Sequence, residues 1–305
     1  MNLPAYIVIT PARNEAQFIE LTIKSMIAQT VRPLKWIIVS DGSTDGTDDI
    51  VNRYAAEHSW IELLRMPERR ERHFAGKVHA FNAGYARVKG LDHEVICSLD
   101  GDISFDENYF SFLLQKLADD SKLGLVGTPF QEGQNPIYDY RYVSIEHVSG
   151  ACQVFRRQCF EDIGGYVPVE GGCIDHIAVI TARMRGWKTR TFTEKVCQHH
   201  RAIGTAGRSQ WAAKFKFGVK DYTIGNHPVW ELFRALRQIN NKPFLAGSLT
   251  LLAGYFWSVL SGAKRPVSPE LVAFHRHEQM QRLKKVLSRN RVPMAAPEIT
   301  PSSQY

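Results

Sequence analysis

Val95-Ile96-Cys97-Ser98-Leu99-Asp100-Gly101-Asp102 decides how this chain is read: an apolar run fit for a buried strand passes directly into two carboxylates separated by one glycine. Two carboxylates two positions apart at a strand end make a site for a hard divalent cation. Mg²⁺ or Mn²⁺ held by one or two carboxylates completes its shell with water and substrate phosphates, so the pair points to a diphosphate-bearing substrate. Asp-x-Asp also arises in solvated turns, and its weight here comes from what surrounds it.

Working outward, Tyr6-Ile7-Val8-Ile9-Thr10 reads as a first buried strand, Pro11-Ala12-Arg13-Asn14-Glu15 as a loop, and Ala16 to Gln29 as a helix with Phe18, Leu21, Ile23, Met26 and Ile27 near one face. Trp36-Ile37-Ile38-Val39 is a second strand, followed by the polar turn Asp41-Gly42-Ser43-Thr44-Asp45-Gly46 and a helix to about Glu57; Ile61 to Leu64 is a short third strand. Ala75 to Val88 reads as a helix, and Glu94 to Leu99 as the strand that delivers Asp100. Strands alternating with helices predict a mainly parallel, right-handed α/β sheet with its ligands at the carboxyl ends of the strands. The loops Pro11–Glu15, Asp41–Asp45 and Asp100–Asp102 are then expected to converge on one edge. Asp41 to Asn52 nearly spells a calcium loop, but its twelfth position is Asn52 rather than a bidentate Glu, and a strand rather than a helix precedes it.

The 305 residues, 44% hydrophobic, can bury a full core. A net charge of +7 favours anionic partners without choosing among nucleic acid, nucleotide phosphates and an acidic membrane face. Cys97, Cys152, Cys159, Cys173 and Cys197 are odd in number and contain no C-x-x-C pair, which argues against a disulfide framework and a structural zinc site and for reduced, partly buried thiols. Residues 1–10 lack the basic start and long apolar stretch of a signal peptide, so a cytoplasmic location is expected.

After about residue 125 the alternation weakens; Gly164-Gly165-Tyr166 and Glu170-Gly171-Gly172 mark turns before a helix from Asp175 to Arg185, and Arg190 to Val196 reads as a strand. Past His200 the chain mixes cations with aromatics in Lys214-Phe215-Lys216-Phe217 and Lys220, and Phe244 to Leu260 holds no charge. That stretch falls short of the ~20 residues of a spanning helix. With Lys242, Lys264 and Arg265 around it, an interfacial or re-entrant helix is the preferred reading over a core helix or a span. Leu271 to Arg291 has the pattern of a basic amphipathic helix. The expected organisation is a catalytic domain over 1–205, a helical, membrane-associating appendage over 206–292, and a loose tail over 293–305.

Placed beside Pro11-Ala12-Arg13-Asn14-Glu15, Asp41-Gly42-Ser43-Thr44-Asp45 and Gly76-Lys77-x-x-Ala80-x-Asn82-x-Gly84, the Asp100-Gly101-Asp102 motif makes the chain resemble a family 2 glycosyltransferase of the GT-A fold, over roughly residues 5–200. The resemblance implies a Rossmann-like, mixed and mainly parallel sheet flanked by helices, a nucleotide-diphosphate-sugar donor, a divalent metal (Mn²⁺ or Mg²⁺) and inversion at the anomeric carbon. It implies nucleotide contacts for Pro11, Arg13, Glu15 and Asp41, with Asp41 accepting a hydrogen bond from the base. Lys77 would meet the diphosphate or an adjacent carboxylate, unless it is a solvated first-turn lysine. Asp102 is the stronger metal ligand, with Asp100 nearer the ribose or bound through water.

An inverting transfer needs a base for the acceptor hydroxyl, which suits a carboxylate in a partly desolvated cleft. The family carries it as the Asp of a Glu-Asp pair after a Gly-rich turn. Glu170-Gly171-Gly172-Cys173-Ile174-Asp175-His176 aligns there, making Asp175 the candidate base, although Ile174 stands where Glu is usual and an N-cap role is the alternative. His199-His200 resembles the place where some members supply a third metal ligand, and Arg201 and Arg208 would meet the diphosphate.

The chain lacks the Gln-x-x-Arg-Trp motif of processive members, which favours single addition over polymerisation. The expected acceptor is lipid-linked, a polyprenyl-bound glycan at the cytoplasmic face of the plasma membrane, with the enzyme peripheral there. By family frequency the donor carries UDP, with GDP and dTDP as the alternatives. Among the rivals, a sugar nucleotidyltransferase would open with a Gly-rich basic loop, which Pro11–Glu15 is not. A non-catalytic nucleotide-sugar-binding scaffold would tolerate loss of Asp102 or Asp175, and no nucleic-acid-binding motif is present, so no nucleic-acid partner is expected.

Overall fold

The computed structural model describes residues 3–68, 75–133, 135–136, 144–201, 210–237 and 244–289. Arg208, Lys242 and the tail 293–305 lie outside them. The chain divides into two compact units, one of Met1–Asp139 and Val143–Ala213 and one of Tyr140–Tyr142 and Lys214–Tyr305.

In the first unit the elements run β1 (Tyr6–Ala12), α1 (Ile19–Ile27), β2 (Lys35–Asp41), α2 (Thr47–Glu57), β3 (Ile61–Met66), α3 (Ala75–Val88), β4 (Val95–Leu99), β5 (Ile103–Ser104), α4 (Tyr109–Asp119), β6 (Leu123–Gly127), β7 (Phe130–Glu132), β8 (Asn135–Pro136), β9 (Cys152–Arg156), α5 (Arg157–Asp162), α6 (Ile174–Met184), β10 (Lys188–Thr191) and β11 (Cys197–His199). The main sheet has the order β10-β6-β9-β4-β1-β2-β3. Its pairs are parallel except those of β9, which runs antiparallel between β4 and β6. Buried on both faces, β1, β2 and β4 read as the near-continuous apolar runs that such a sheet requires. The Trp36 indole N–H donates to Thr10 Oγ1 across 2.9 Å, which satisfies a buried donor and ties β2 to β1. Helix α3 lies close on these strands because Gly84 has no side chain: a Cβ there would stand 2.8 Å from both Ile9 Cγ2 and Val39 Cγ2.

Four sequence expectations need correction. Pro11 and Ala12 belong to β1, paired with Val39 and Ser40, so the loop is shorter than expected. Helix α1 begins at Ile19 rather than Ala16: the N–H groups of Glu15 and Ala16 are taken by Thr47 Oγ1 and Asp45 Oδ2, and Phe18 and Ile19 both turn back onto the Glu15 carbonyl. Its buried face is therefore Ile19, Thr22, Ile23 and Met26, and Leu21 is exposed. Of the strand expected over Arg190–Val196 only Arg190 and Thr191 lie in one, at the end of β10, and His199 lies within a separate strand, β11, instead of following one. A second, four-stranded sheet of order β5-β11-β7-β8 holds that strand; His199 pairs with Ile103, one residue beyond Asp102.

The second unit holds most of α7 (Gln210–Thr223), with α8 (Pro228–Arg237), α9 (Phe244–Leu260) and α10 (Pro269–Arg289). Helices α7 and α9 approach at backbone distance: a Cβ on Gly218 would lie 1.9 Å from the Leu251 carbonyl oxygen, and one on Gly254 2.0 Å from that of Phe215. Among the described residues no helix is long and apolar enough to cross a membrane.

Candidate active site

The loops after β1 and β2 are stapled to each other. Asn14 adopts a left-handed backbone (φ 56°), donates its N–H to Ser43 Oγ and accepts the Thr44 N–H at its side-chain oxygen, at 3.1 and 2.9 Å. Asp45 accepts the N–H groups of Ala16 and Thr47 at 3.0 and 3.1 Å. Partial burial pushes the Asp45 carboxyl up, but the Thr47 side chain and these amides prevail and hold it below the usual carboxylate range. Beside the staple, Asp41 ends β2 buried, with an Arg13 guanidinium nitrogen 3.9 Å from its Oδ2.

Beyond β4, Lys77 on the first turn of α3 hydrogen-bonds Asp100 Oδ1. Burial would pull the Lys77 amine down, but Asp100, Asp175 and Asp102 together hold it charged and above its ordinary value. Asp100 is pushed up by burial and by Asp102, against Lys77. Asp102 is buried; its Oδ2 takes a 3.2 Å bond from Arg201 Nε, and its Oδ1 lies 3.6 Å from His199 Nε2. Arg201 also bridges to Glu15. Burial, reinforced by Asp102 and opposed by Arg201, raises Glu15 to about 7. On the far side of the His199 ring, Nδ1 stands 3.6 Å from Glu132 Oε1. His200 turns away: its Nε2 meets Ser104 Oγ at 2.8 Å and its ring stacks with Phe18.

Asp175 is the second residue of α6, whose N-cap position is held by Cys173 at φ 67°, so Asp175 is not the N-cap. Its place is set by residues that the sequence reading did not single out. Gln153 on β9, fully buried, reaches the Asp175 carbonyl (3.3 Å) and the Val148 carbonyl (3.2 Å) with its amide nitrogen and accepts the Tyr166 hydroxyl at 2.7 Å. Gly150 leaves room for the carboxylate, since a Cβ there would lie 2.9 Å from Asp175 Oδ2. No local pattern marks Gln153 or Glu132, because both matter through strand pairing across long sequence gaps. Lys77 feels Asp100, Asp102 and Asp175 together, so α3, the end of β4 and the start of α6 bring their charged groups to one place.

Among the described residues no group of three or more His, Cys, Asp and Glu side chains is arranged to hold a metal ion. Asp102 and His199 nevertheless fit a cation that keeps most of its water. Two ligands each about 2.1 Å from one ion, at roughly 90–120° to each other, stand about 3.0–3.6 Å apart, and Asp102 Oδ1 and His199 Nε2 are 3.6 Å apart. Glu132, 3.6 Å from the other His199 nitrogen, would be the outer carboxylate that orients the imidazole were it to ligate a metal. His200, engaged with Ser104, does not share this geometry.

Fold and cluster define a class: an α/β protein with an acidic site at the carboxyl ends of its parallel strands. Residues 7–142, somewhat under half of the chain, match the model described as Glycosyl transferase family 2. The chain is 33% identical over 132 residues to a probable glycosyltransferase, YdaM, of Bacillus subtilis (strain 168), covering 42% of this chain and 30% of that protein. To a poly-beta-1,6-N-acetyl-D-glucosamine synthase of Staphylococcus aureus (strain COL) it is 24% identical over 170 residues, 50% of this chain and 39% of that one. The chain thus aligns with well under half the length of these curated relatives. Among solved structures, the mannosyltransferase PcManGT of Pyrobaculum calidifontis in complex with GDP-Man and Mn²⁺ has a TM-score of 0.57 at 20% identity, covering 94% of this chain and 81% of that one. S. aureus TarS 1-349 in complex with UDP-GlcNAc has a TM-score of 0.52 at 15% identity, covering 84% and 73%. At these identities the likeness concerns the fold, a mixed α/β architecture shared with GT-A glycosyltransferases.

Proposed function

We propose that this chain transfers a single sugar, with inversion, from a nucleoside-diphosphate sugar to a lipid-linked glycan acceptor at the cytoplasmic face of a membrane, with a UDP-sugar as the first donor to test and Mn²⁺ or Mg²⁺ as cofactor. The observation that carries the reading is the gathering of Lys77, Asp100, Asp102 and Asp175 beside the stapled loops that hold Asp41. Asp41 and Arg13 would receive the base, and Lys77 and Arg201 the diphosphate. Asp102 and His199 would hold the metal, whose chemistry is Lewis-acid neutralisation of the departing nucleoside diphosphate. Asp175, fixed by Gln153 and given space by Gly150, would take the proton from the acceptor hydroxyl as that oxygen attacks opposite the breaking C1–O bond.

The test is thermal unfolding of the full chain with Mn²⁺ and each of UDP, GDP, dTDP and CDP, with and without chelator. A nucleotide at a hundred times its Kd adds about 2.7 kcal/mol. A shift with one nucleotide that vanishes on chelation supports the donor site and names its base; no shift with any removes it. Transfer from the corresponding labelled sugar nucleotide to a polyprenyl-diphosphate sugar then reports single addition or a ladder of longer products, and a ladder refutes the single-sugar reading.

A further inference from the structure

Helices α8 and α9 are amphipathic in the wrong direction for a protein surrounded by water. On α8 the side turned inward carries Glu231, fully buried and bonded through Oε2 to Asn226, and Arg234, paired with Asp221 at 2.9 Å. The side turned outward carries Val229, Leu232 and Leu236, the last 66% exposed. Helix α9 repeats the inversion. Its buried arc is Gly247, Ser248, Leu251, Gly254, Tyr255 and Ser258, small residues and hydroxyls for the most part. Advancing about 100° per residue, Leu245, Leu249, Leu252, Phe256 and Leu260 fall on the opposite arc, with Trp257 at its border; Trp257 is 64% exposed and Leu260 84%. A soluble helix buries its large apolar side chains and shows its hydroxyls and charges, so an exposed apolar stripe on each of two successive helices calls for a covering partner.

Charge selects that partner. Residues 1–213 carry 24 Lys and Arg against 26 Asp and Glu, whereas residues 214–305 carry 14 against 5. The excess positive charge of the chain thus belongs entirely to the part that contains α8 and α9, and Lys216, Lys264, Lys284 and Lys285 there are exposed. A second copy would bring the same positive charge to the contact and be repelled, whereas an anionic lipid surface meets both requirements. Helix α9, about 25 Å long at 17 residues, is shorter than the ~30 Å hydrocarbon layer, and one of its sides is occupied by α7, so it would lie in the interface instead of crossing it.

We propose that the outward faces of α8 and α9, with the lysines around them, form a docking surface for an anionic lipid bilayer. It deepens the reading of a membrane-held acceptor and yet is separable from the donor chemistry. The experiment is co-sedimentation of the full chain with vesicles of phosphatidylglycerol mixed with phosphatidylcholine and with pure phosphatidylcholine vesicles, for the wild type and the Leu236→Asp/Leu260→Asp double variant. Both leucines are exposed, so folding should survive, and circular dichroism checks it. Binding to the anionic vesicles is expected to exceed that to the neutral ones by at least about tenfold, to fall with added NaCl, and to drop by at least about tenfold in the variant. Independently, the emission lost on Trp257→Phe should be blue-shifted when anionic vesicles are present. No binding to either vesicle overturns the proposal, equal binding to both overturns its anionic part, and a wild-type dimer that the double variant dissolves, without vesicle binding, assigns the faces to a second copy. Nucleotide-dependent stabilisation, measured on the same samples, reports on the donor site alone, so failure of either reading leaves the other standing.

Discussion

Gly150 and Asp175 make a matched pair: the carboxylate stands where any side chain at 150 would project, with Asp175 Cβ only 3.0 Å from the position of a Gly150 Cβ. Gly150→Ala should therefore displace the proposed base without touching the nucleotide loops. Transfer should fall roughly 10²-fold or more, and Asp175→Asn should fall within the 10²–10⁴ range of a lost general base; both should keep nucleotide-dependent thermal stabilisation. Asp102→Asn should do the opposite and lose the chelator-sensitive stabilisation itself. Equal loss of nucleotide affinity in all three would sink the role given to Asp175. In the second unit, burial raises Glu231 to about 7, with Asp221 adding to the rise and Arg234 opposing it. A carboxyl raised in the folded state favours folding fully below its unfolded value of 4.5, and that contribution is lost as pH climbs towards 7. Glu231→Gln keeps an acceptor for Asn226 and removes the ionisation. Its stability relative to wild type should rise between pH 4.5 and pH 7 by an amount on the order of 3 kcal/mol, read from urea unfolding at a series of pH values.

At the scale of elements, two kinds of close approach set the architecture, and only one shows in the sequence pattern. The alternation of apolar runs and helices made β1, β2, β4 and α3 readable, with Lys77 and Asp100 at their ends, because parallel strands buried on both faces need continuous apolar residues. Strand β9 escaped, since an antiparallel insertion between β4 and β6 is fixed by pairing with strands read far earlier in the chain. The start of α1 escaped too: side chains of a different loop, Asp45 and Thr47, claim the amides that would have begun it. The α7–α9 contact is of the second kind, decided by two glycines that resemble interruptions in an apolar stretch until the facing backbone is seen. Gly218→Ala should cost about 3 kcal/mol, at the upper end of overpacking penalties, because the new methyl meets a carbonyl oxygen that cannot rotate away. Equilibrium unfolding of the variant measures it, and a cost under about 1 kcal/mol would show that the helices part freely.

For the molecule as a whole, the five cysteines form a record of global opening. Cys97, Cys152, Cys159 and Cys197 are buried and Cys173 alone is partly accessible; burial pushes Cys159 and Cys197 up to about 12 and Cys97 well above its usual value. In native buffer a thiol reagent should label Cys173 alone, and in guanidinium all five, with the four slow sites reacting together; staggered labelling would instead mark local opening. The reading of five reduced thiols came from their number and spacing, and which one reaches solvent came only with the fold. The staple between Asn14, Ser43 and Thr44 has a wider reach than its two hydrogen bonds. It joins the ends of two neighbouring strands, so the wall beside Asp41 inherits its shape from the register of the sheet and cannot relax as a loop would. On the proposed reading, discrimination among nucleotide bases would then be a property of the core, slow to drift under mutation. On that reading the groups that would meet sugar and acceptor, Asp175 among them, are not tied by that brace and could change while the base stays the same.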